Sequence, residues 1–335
     1  MKIVFDLITT EFVIWVIAAI VLAIWTAYYL RKPLSFHDKH VFVTGGSGGI
    51  GKAIATEVIK EGGRVSLFAR GQYGLEDAKN EIVLKTNCNP NSIQIFPGDV
   101  NDSLGTLTKI IDDSEKNHGP IFMLVNTAGY AVAGRFEDLS VDNFKAMMSV
   151  NFMGTVSVSK VVVPRMKNRG EGVVVLFGSQ AGLTGIFGYT AYAATKFALR
   201  GFAEALSMEV KPYNISVTLA CPPDTDTPGL IMENKTKPKE TCLISDSSGV
   251  LPAQDVAKQT LEDAKMKRFL STNGFEGKIL TTVCCGMAPI TSYFELAIQK
   301  GMKSKDLDKE SRKYNLTKVS WKWNDNTICH SKMKV

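Results

Sequence analysis

The stretch TGGSGGIG, residues Thr44–Gly51, joins a short apolar run at residues 40–44 to an amphipathic run at residues 49–60. The spacing of apolar residues predicts a strand before the glycines and a helix after them. Glycines at such a junction let the backbone turn sharply and approach a pyrophosphate, which then faces the free N–H groups of the helix N-terminus. The stretch therefore predicts a dinucleotide site, with contacts from Gly45, Ser47, Gly48, Gly49, Ile50 and Gly51.

The same alternation of short apolar runs and longer amphipathic runs continues along the chain. The predicted strands span residues 40–44, 64–69, 92–96, 121–125, 172–177 and 215–220, and the predicted helices span residues 49–60, 75–85, 104–116 and 191–210. Two further helical stretches flank Asn151. Continuous apolar strands that alternate with helices are typical of a parallel sheet covered on both faces. The fold class is therefore α/β, with a Rossmann-type doubly wound parallel sheet in a single domain.

The composition is that of an ordinary globular protein. Of the 335 residues, 45% are hydrophobic and 21% are charged. The net charge of +6 comes largely from the tail after Lys300, and no compact basic stripe precedes it, so we expect no nucleic-acid partner. The six cysteines include no CxxC pair and no Cys/His cluster with zinc spacing, so we predict no metal site and favour free thiols over a disulfide framework.

An uncharged apolar run, Phe12–Leu30, precedes the α/β pattern. As a helix it is long enough to cross the ~30 Å hydrocarbon core of a bilayer. Arg31 and Lys32 follow directly, so the positive-inside rule places the rest of the chain in the cytosol. A cleaved signal peptide is the alternative, but the flank before the run is not basic. The predicted organisation is a short segment at residues 1–11, a transmembrane anchor at 12–30, a catalytic domain at 38–300 and a polar basic tail at 301–335.

The end of the second strand indicates which dinucleotide binds. Sites for NAD usually carry an acid there that accepts a hydrogen bond from the ribose 2′-OH. Here the strand ends in Ala69-Arg70 with no acid before Glu76, and a guanidinium suits a 2′-phosphate, so we predict NADPH with Arg70 as a ligand. Residues after the third and fourth strands are predicted to contact the adenine and nicotinamide halves, although they could be ordinary turn residues: Asp99, Val100, Asn126, Ala128 and Gly129.

Tyr192 and Lys196 are four residues apart and would share one face of a helix. A free phenol has a pKa near ~10, and a nearby ammonium is expected to lower it, so that the phenol can move a proton at neutral pH. Lys196 can also hold ribose hydroxyls, so both residues are predicted to contact the cofactor. Ser179, at the end of a predicted strand, could stabilise a developing alkoxide or could merely cap a turn. Asn151 could hold a water that passes protons to Lys196, or could bond locally.

Taken together, these motifs resemble the short-chain dehydrogenase/reductase family over about residues 40–220. The resemblance implies that Tyr192 donates or accepts the proton, that Ser179 orients a carbonyl, that Lys196 binds ribose and tunes the tyrosine, and that Asn151 supports the relay. Members of the family often pair through the helices near Asn151 and Tyr192, so the resemblance also implies a homodimer.

Further segments are similar to one subgroup of that family: residues 179–182, 187–192, 209–214, 222–229 and 285–289. The subgroup is anchored in the endoplasmic reticulum membrane with its catalytic domain facing the cytosol, and it reduces a long-chain sphingoid ketone with NADPH. Those properties are therefore expected here. This chain departs from the subgroup at Gly74, where a basic residue is usual, and in its polar tail, where members often end in an apolar stretch.

Other interpretations of the pattern stay open. A membrane-anchored reductase of steroid or retinoid carbonyls would share the same catalytic residues, and a nucleotide-binding scaffold without catalysis would share the glycine turn. The stretch Asp224–Val250 interrupts the strand–helix alternation directly after a strand. Ligands of open α/β sheets bind at that end of the strands, so we interpret it as a mobile substrate lid, with a plain surface insertion as the alternative.

Overall fold

The computed structural model describes residues 33–284 together with residues 15, 16, 18–20 and 22. The predicted membrane anchor at 12–30 lies largely outside the described residues. The segment at 285–289 and the tail at 301–335 lie wholly outside them.

Seven parallel strands form one twisted sheet in the order β3-β2-β1-β4-β5-β6-β9. A separate pair, β7 and β8, is also parallel. The strands are β1 His40–Thr44, β2 Arg64–Ala69, β3 Ile93–Pro97, β4 Ile121–Asn126, β5 Gly172–Phe177, β6 Ile215–Ala220, β7 Thr225–Asp226, β8 Leu251–Pro252 and β9 Leu270–Ser271. The predicted doubly wound α/β fold is confirmed.

Helices cover both faces of the sheet. They are α1 Gly49–Lys60, α2 Gln72–Thr86, α3 Leu104–His118, α4 Val141–Met147, α5 Thr155–Arg169, α6 Thr190–Val210, α7 Pro228–Glu233, α8 Lys239–Ser248, α9 Ala253–Lys265 and α10 Gly274–Cys284. Side chains alternate along each strand, so Val41 and Val43 pack into the cluster with α1, α2 and α9, while Phe42 packs into the cluster with α3, α5 and α6. Strands β1, β4 and β5 are buried throughout because neither face meets water.

A π-helix, Met148–Gly154, joins α4 to α5 and contains Asn151. The sequence predicts helical stretches on both sides of Asn151 but gives no sign of the wider turn. Within the described residues, the continuous run Val141–Arg169 is the one helix long and apolar enough to cross a membrane. Half of its apolar window is buried inside the protein, as expected for a core helix.

The order of the strands reverses between β1 and β4, since the chain proceeds from β1 to β2 on one side and from β4 to β5 on the other. Ligands of open α/β sheets bind in the crevice beyond the carboxyl ends of such strands. The stretch from Asp224 to Val250 contains β7, α7 and α8 and stands at the same edge. The fold thus places the glycine turn, the predicted catalytic residues and the predicted lid around one opening.

Candidate active site

A cavity of about 570 Å³ opens at the carboxyl edge of the sheet. Its size falls within the range usual for small-molecule and cofactor sites. The glycine turn forms one wall, the residues around Ser179 and Tyr192 form another, and α7 with part of α8 forms a third. One continuous space therefore joins the predicted dinucleotide site to the predicted catalytic residues.

The glycine turn between β1 and α1 has the shape that a pyrophosphate needs. Gly45 has a φ of +67°, and a Cβ there would lie 2.9 Å from the backbone nitrogen of Ala128. A Cβ on Gly51 would lie 2.5 Å from the carbonyl oxygen of Gly45, so neither position admits a side chain. Gly48 caps α1 without any side-chain hydrogen bond, which leaves the first N–H groups of the helix directed at the cavity. These residues fit a bound dinucleotide phosphate.

All but one of the predicted cofactor contacts line the cavity. The lining includes Gly45, Ser47, Gly48, Gly49, Ile50, Gly51, Arg70, Asp99, Val100, Ala128, Gly129, Tyr192 and Lys196. The exception is Asn126, which is buried beneath the cavity floor, where its side-chain nitrogen donates to Ser159 Oγ at 3.4 Å. Thr127 lines the cavity in its place, and its hydroxyl donates to the carbonyl of Thr44.

Ser179, Tyr192 and Lys196 converge at the inner end of the cavity. Ser179 follows β5, and its hydroxyl accepts a hydrogen bond from Ala181 N at 3.1 Å. The same hydroxyl is close enough to that of Tyr192 to act on its pKa. The ammonium of Lys196 donates to the carbonyl of Phe177 at 2.7 Å and lies 5.4 Å from the centre of the Tyr192 ring. Two hydroxyls thus stand where a carbonyl oxygen could accept from both, with a cation behind them.

Asn151 is fully buried, and its side chain holds two backbone segments together. Its amide nitrogen donates to Tyr130 O at 2.9 Å and to Thr195 Oγ1 at 3.1 Å, while its oxygen accepts from Tyr130 N at 2.9 Å. Both amide protons are therefore used in fixing the loop after β4 against α6. The role of Asn151 in a proton relay stays a prediction.

Comparison with known proteins identifies the family to which the chain belongs. Residues 39–238 match the family described as short chain dehydrogenase. The chain belongs to the short-chain dehydrogenase family. As a member it is an oxidoreductase, and its fold and glycine turn bind a nicotinamide dinucleotide, NAD or NADP.

Several proteins of known name are similar to the chain over most of their length. The 3-ketodihydrosphingosine reductase of Bos taurus is 48% identical over 79% of this chain and 80% of that protein. The 3-dehydrosphinganine reductase of Danio rerio is 46% identical over 84% of this chain and 86% of that protein. The crystal structure of levodione reductase matches with a TM-score of 0.65 at 22% identity, covering 73% of this chain and 99% of that one. At that identity the structural match supports the fold alone.

The electrostatics of this short-chain dehydrogenase site differ from the sequence-based expectation. Burial raises the pKa of Tyr192 above its ordinary value, and the negative charge of Glu233 raises it further, against a hydrogen bond from Ser179. Burial lowers the pKa of Lys196 to about 8. The expectation that the pKa of Tyr192 lies below its ordinary value is therefore wrong, because burial and the charge of Glu233 prevail. The Lys196 ammonium bonds to Phe177, and the surrounding protein opposes the phenolate. Tyr192 thus keeps its proton at neutral pH, as a proton donor must.

Sequence reasoning also missed a group of polar side chains on the lid side of the cavity. The Tyr189 ring lies 5.5 Å from the Tyr192 ring, and its hydroxyl donates to Glu233 on α7. Lys237, between α7 and α8, pairs with both Glu233 and Asp224. The sequence shows that the stretch interpreted as a lid contains charged residues. It does not show which of these residues face the cavity.

Proposed function

We propose that the protein reduces the keto group of 3-ketodihydrosphingosine to an alcohol with NADPH, at the cytosolic face of the endoplasmic reticulum membrane. The observation that supports this substrate is the identity of 46–48% over about four fifths of the Bos taurus and Danio rerio relatives, which carry the names of reductases of that ketone. The arrangement of Ser179, Tyr192 and Lys196 in the cavity is consistent with that chemistry.

In the proposed reaction the hydroxyls of Ser179 and Tyr192 donate hydrogen bonds to the ketone oxygen. The reduced dinucleotide, when bound, supplies the hydride that the carbonyl carbon accepts. Tyr192 then gives its proton to the alkoxide oxygen, which completes the alcohol. Ser179 stabilises the charge that develops on that oxygen, and the Lys196 ammonium favours the phenolate that Tyr192 becomes.

The lid offers an apolar path for a long alkyl chain. Leu230 on α7 and Ile244 on α8 line the cavity, while Ile231, Met232 and Leu243 beside them are exposed. An apolar rim next to a polar reaction centre suits a single-chain lipid with a functional headgroup. The predicted anchor at 12–30 would keep this rim beside the bilayer, where such a poorly soluble substrate is found.

The substrate can be tested with purified, detergent-solubilised protein. NADPH oxidation would be followed with 3-ketodihydrosphingosine, a steroid ketone and a retinal in parallel. We expect selective turnover of the sphingoid ketone, with sphinganine as the product. Turnover of the steroid or retinal alone would contradict the proposed substrate but would still agree with the proposed catalytic residues. Turnover of no carbonyl compound would instead favour a nucleotide-binding scaffold.

The preference for NADPH is supported by Arg70 at the end of β2. Its side chain is exposed at the cavity wall, and it has no ion-pair partner among the residues that the structure describes. No acid follows it in the sequence before Glu76, where NAD sites usually carry one that accepts from the ribose 2′-OH. Gly74, where the subgroup usually carries a basic residue, has no side chain, so that position adds no cation to hold a 2′-phosphate.

Replacing Arg70 with alanine should raise the KM for NADPH by roughly 10- to 100-fold and leave the KM for NADH nearly unchanged. The reason is that a charge-assisted pair with the 2′-phosphate contributes about 1.5–3 kcal/mol, and NADH lacks that group. Steady-state kinetics with both cofactors would measure the change. Arg135→Ala, at an exposed ion pair with Glu240 away from the cavity, is the matched control. An equal rise in the KM for NADPH and for NADH would contradict the assignment of Arg70 as a ligand of the 2′-phosphate.

The proposed cytosolic orientation can be checked at acceptor sites for N-glycosylation. Asn101, Asn214 and Asn234 each begin an N-x-S/T sequence, and all three are exposed. Their accessibility means that a lack of modification reports the compartment and not burial. We expect no change of mass on endoglycosidase treatment of protein expressed in eukaryotic cells. A loss of mass on endoglycosidase treatment would show that the protein is glycosylated and would place the domain in the lumen.

We also propose that the protein forms a homodimer through α4–α5 and α6, as the family resemblance implies. Exposed apolar side chains on these elements support it: Val141, Met153, Phe197 and Met208. Sedimentation of the detergent-solubilised protein at the mass of one chain would contradict it.

A further inference from the structure

The lid side of the cavity holds a partly buried charge cluster, formed by Asp224, Glu233 and Lys237, that hydride transfer does not use, and the side chain of Asp224 is 25% exposed. The Lys237 ammonium lies 3.0 Å from Asp224 Oδ2 and 3.2 Å from Glu233 Oε1, and it donates to Ser245 Oγ at 3.2 Å. The side chain of Lys237 is 2% exposed and that of Glu233 is 14% exposed. Such a group is costly to bury unless its charges are matched.

The charges of the cluster do not balance. Asp224 and Glu233 bring two carboxylates, and Lys237 is the single cation paired with either of them among the described residues. Tyr189 donates a neutral hydrogen bond to Glu233 and adds no charge. One negative charge is therefore left uncompensated in a recess that lines the cavity, where it would attract a cation and repel a phosphate.

The cluster lies beside the reacting carbonyl position. Tyr189 bridges the two sites, since its ring packs against Tyr192 and its hydroxyl bonds to Glu233. The charges of Glu233 and Asp224 also both raise the pKa of Tyr192, so their field reaches the proton-donating hydroxyl. A cation held here would stand next to the ketone.

We infer that Glu233, together with Asp224, forms a subsite for the protonated amine of an α-amino ketone. The inference rests on the proposed function, because 3-ketodihydrosphingosine carries its amine on the carbon next to the keto group. With the ketone oxygen on Ser179 and Tyr192, that ammonium lies within reach of the groups beside Tyr192. It would add the positive charge that the cluster lacks.

The subsite would also set specificity. Steroid ketones, retinal and N-acylated sphingoid ketones carry no cation, so they would leave the cluster with an uncompensated charge that has lost its water. An ammonium would instead make charge-assisted hydrogen bonds to the carboxylates. The glycine turn and the catalytic residues do not distinguish these ketones, whereas the cluster does.

The test compares two ketones that differ in the amine alone: 3-ketodihydrosphingosine and its deaminated analogue, 1-hydroxyoctadecan-3-one. Each would be assayed with NADPH and the full chain in detergent micelles. We expect Glu233→Gln to raise the KM for the amino ketone by about 10- to 100-fold. Any change in kcat should be the same for both ketones, because the charge of Glu233 acts on Tyr192 whichever ketone is bound. The KM for the deaminated ketone should stay within about twofold. Glu240→Gln, on the same lid but outside the cavity lining, should match the wild type with both ketones.

Other outcomes would separate the two claims. A wild-type enzyme that reduces no sphingoid ketone would overturn the proposed function and this inference together. A wild-type enzyme that reduces it, with Glu233→Gln altering the KM of both ketones equally or of neither, would overturn the subsite alone. If Glu233→Gln fails to fold, as judged by NADPH binding, Asp224→Asn provides the same comparison, and an unchanged ratio of the two KM values would again overturn the subsite.

Discussion

Tyr192→Phe should lower the turnover number for ketone reduction by about 10²- to 10⁴-fold, because it removes the hydroxyl proposed to donate the proton. The substitution removes one oxygen and keeps the ring that packs 5.5 Å from Tyr189, so the cavity and the fold are retained. Hydride transfer without a nearby proton would leave an alkoxide that only water could neutralise. Single-turnover rates would measure the loss, and quenching of protein fluorescence would show that NADPH still binds.

Tyr213→Phe is the matched control for that substitution. Tyr213 is exposed, does not line the cavity and contacts Lys167 through its ring. The Tyr213→Phe variant should therefore reduce the ketone at the wild-type rate. Near-normal turnover of Tyr192→Phe would remove the proposed proton donor and with it the mechanism.

Lys196→Met should lower turnover by roughly 10²- to 10³-fold, as the loss of a preorganised charge at the reacting centre usually does. Lys196 is almost completely buried, and its ammonium is fixed by the carbonyl of Phe177. Methionine keeps much of the volume of the side chain and removes the charge, so the comparison isolates electrostatics from packing.

The same residue predicts a dependence on pH. Burial lowers the pKa of Lys196 to about 8, so the side chain is charged below that value and becomes neutral as the pH rises through it. The rate of ketone reduction should therefore be high on the acid side of about 8 and fall on the alkaline side. Lys196→Arg keeps its charge at every accessible pH and should lack this fall. An identical alkaline fall in the wild type and in Lys196→Arg would assign the titration to another group.

Much of the fold was predictable because its signals are local. A fully buried strand such as Ile121–Asn126 is a continuous apolar run, and a turn that admits no Cβ at Gly45 or Gly51 must be glycine. Strands, helices and the dinucleotide turn were therefore readable from spacing and residue type. Tyr192 and Lys196 were readable for the same reason, since a helix places them on one face.

The remaining features depend on contacts between distant parts of the chain. Asn126 was predicted to contact the cofactor because it ends a strand, yet its side chain faces Ser159 beneath the cavity. Asn151 lies in a π-helix, which no residue pattern in the sequence predicts. The pKa of Tyr192 was predicted in the wrong direction because burial and the charge of Glu233 arise only when the lid meets α6.

The central claim is that this site transfers hydride from NADPH to the keto carbon of a sphingoid ketone. The most direct measurement uses NADPH carrying deuterium at the transferred position of the nicotinamide, with 3-ketodihydrosphingosine and the purified full chain, followed by mass spectrometry of the product. The account predicts sphinganine with one deuterium, bound to C3. Product without deuterium, deuterium at another carbon, or no sphinganine at all would contradict it.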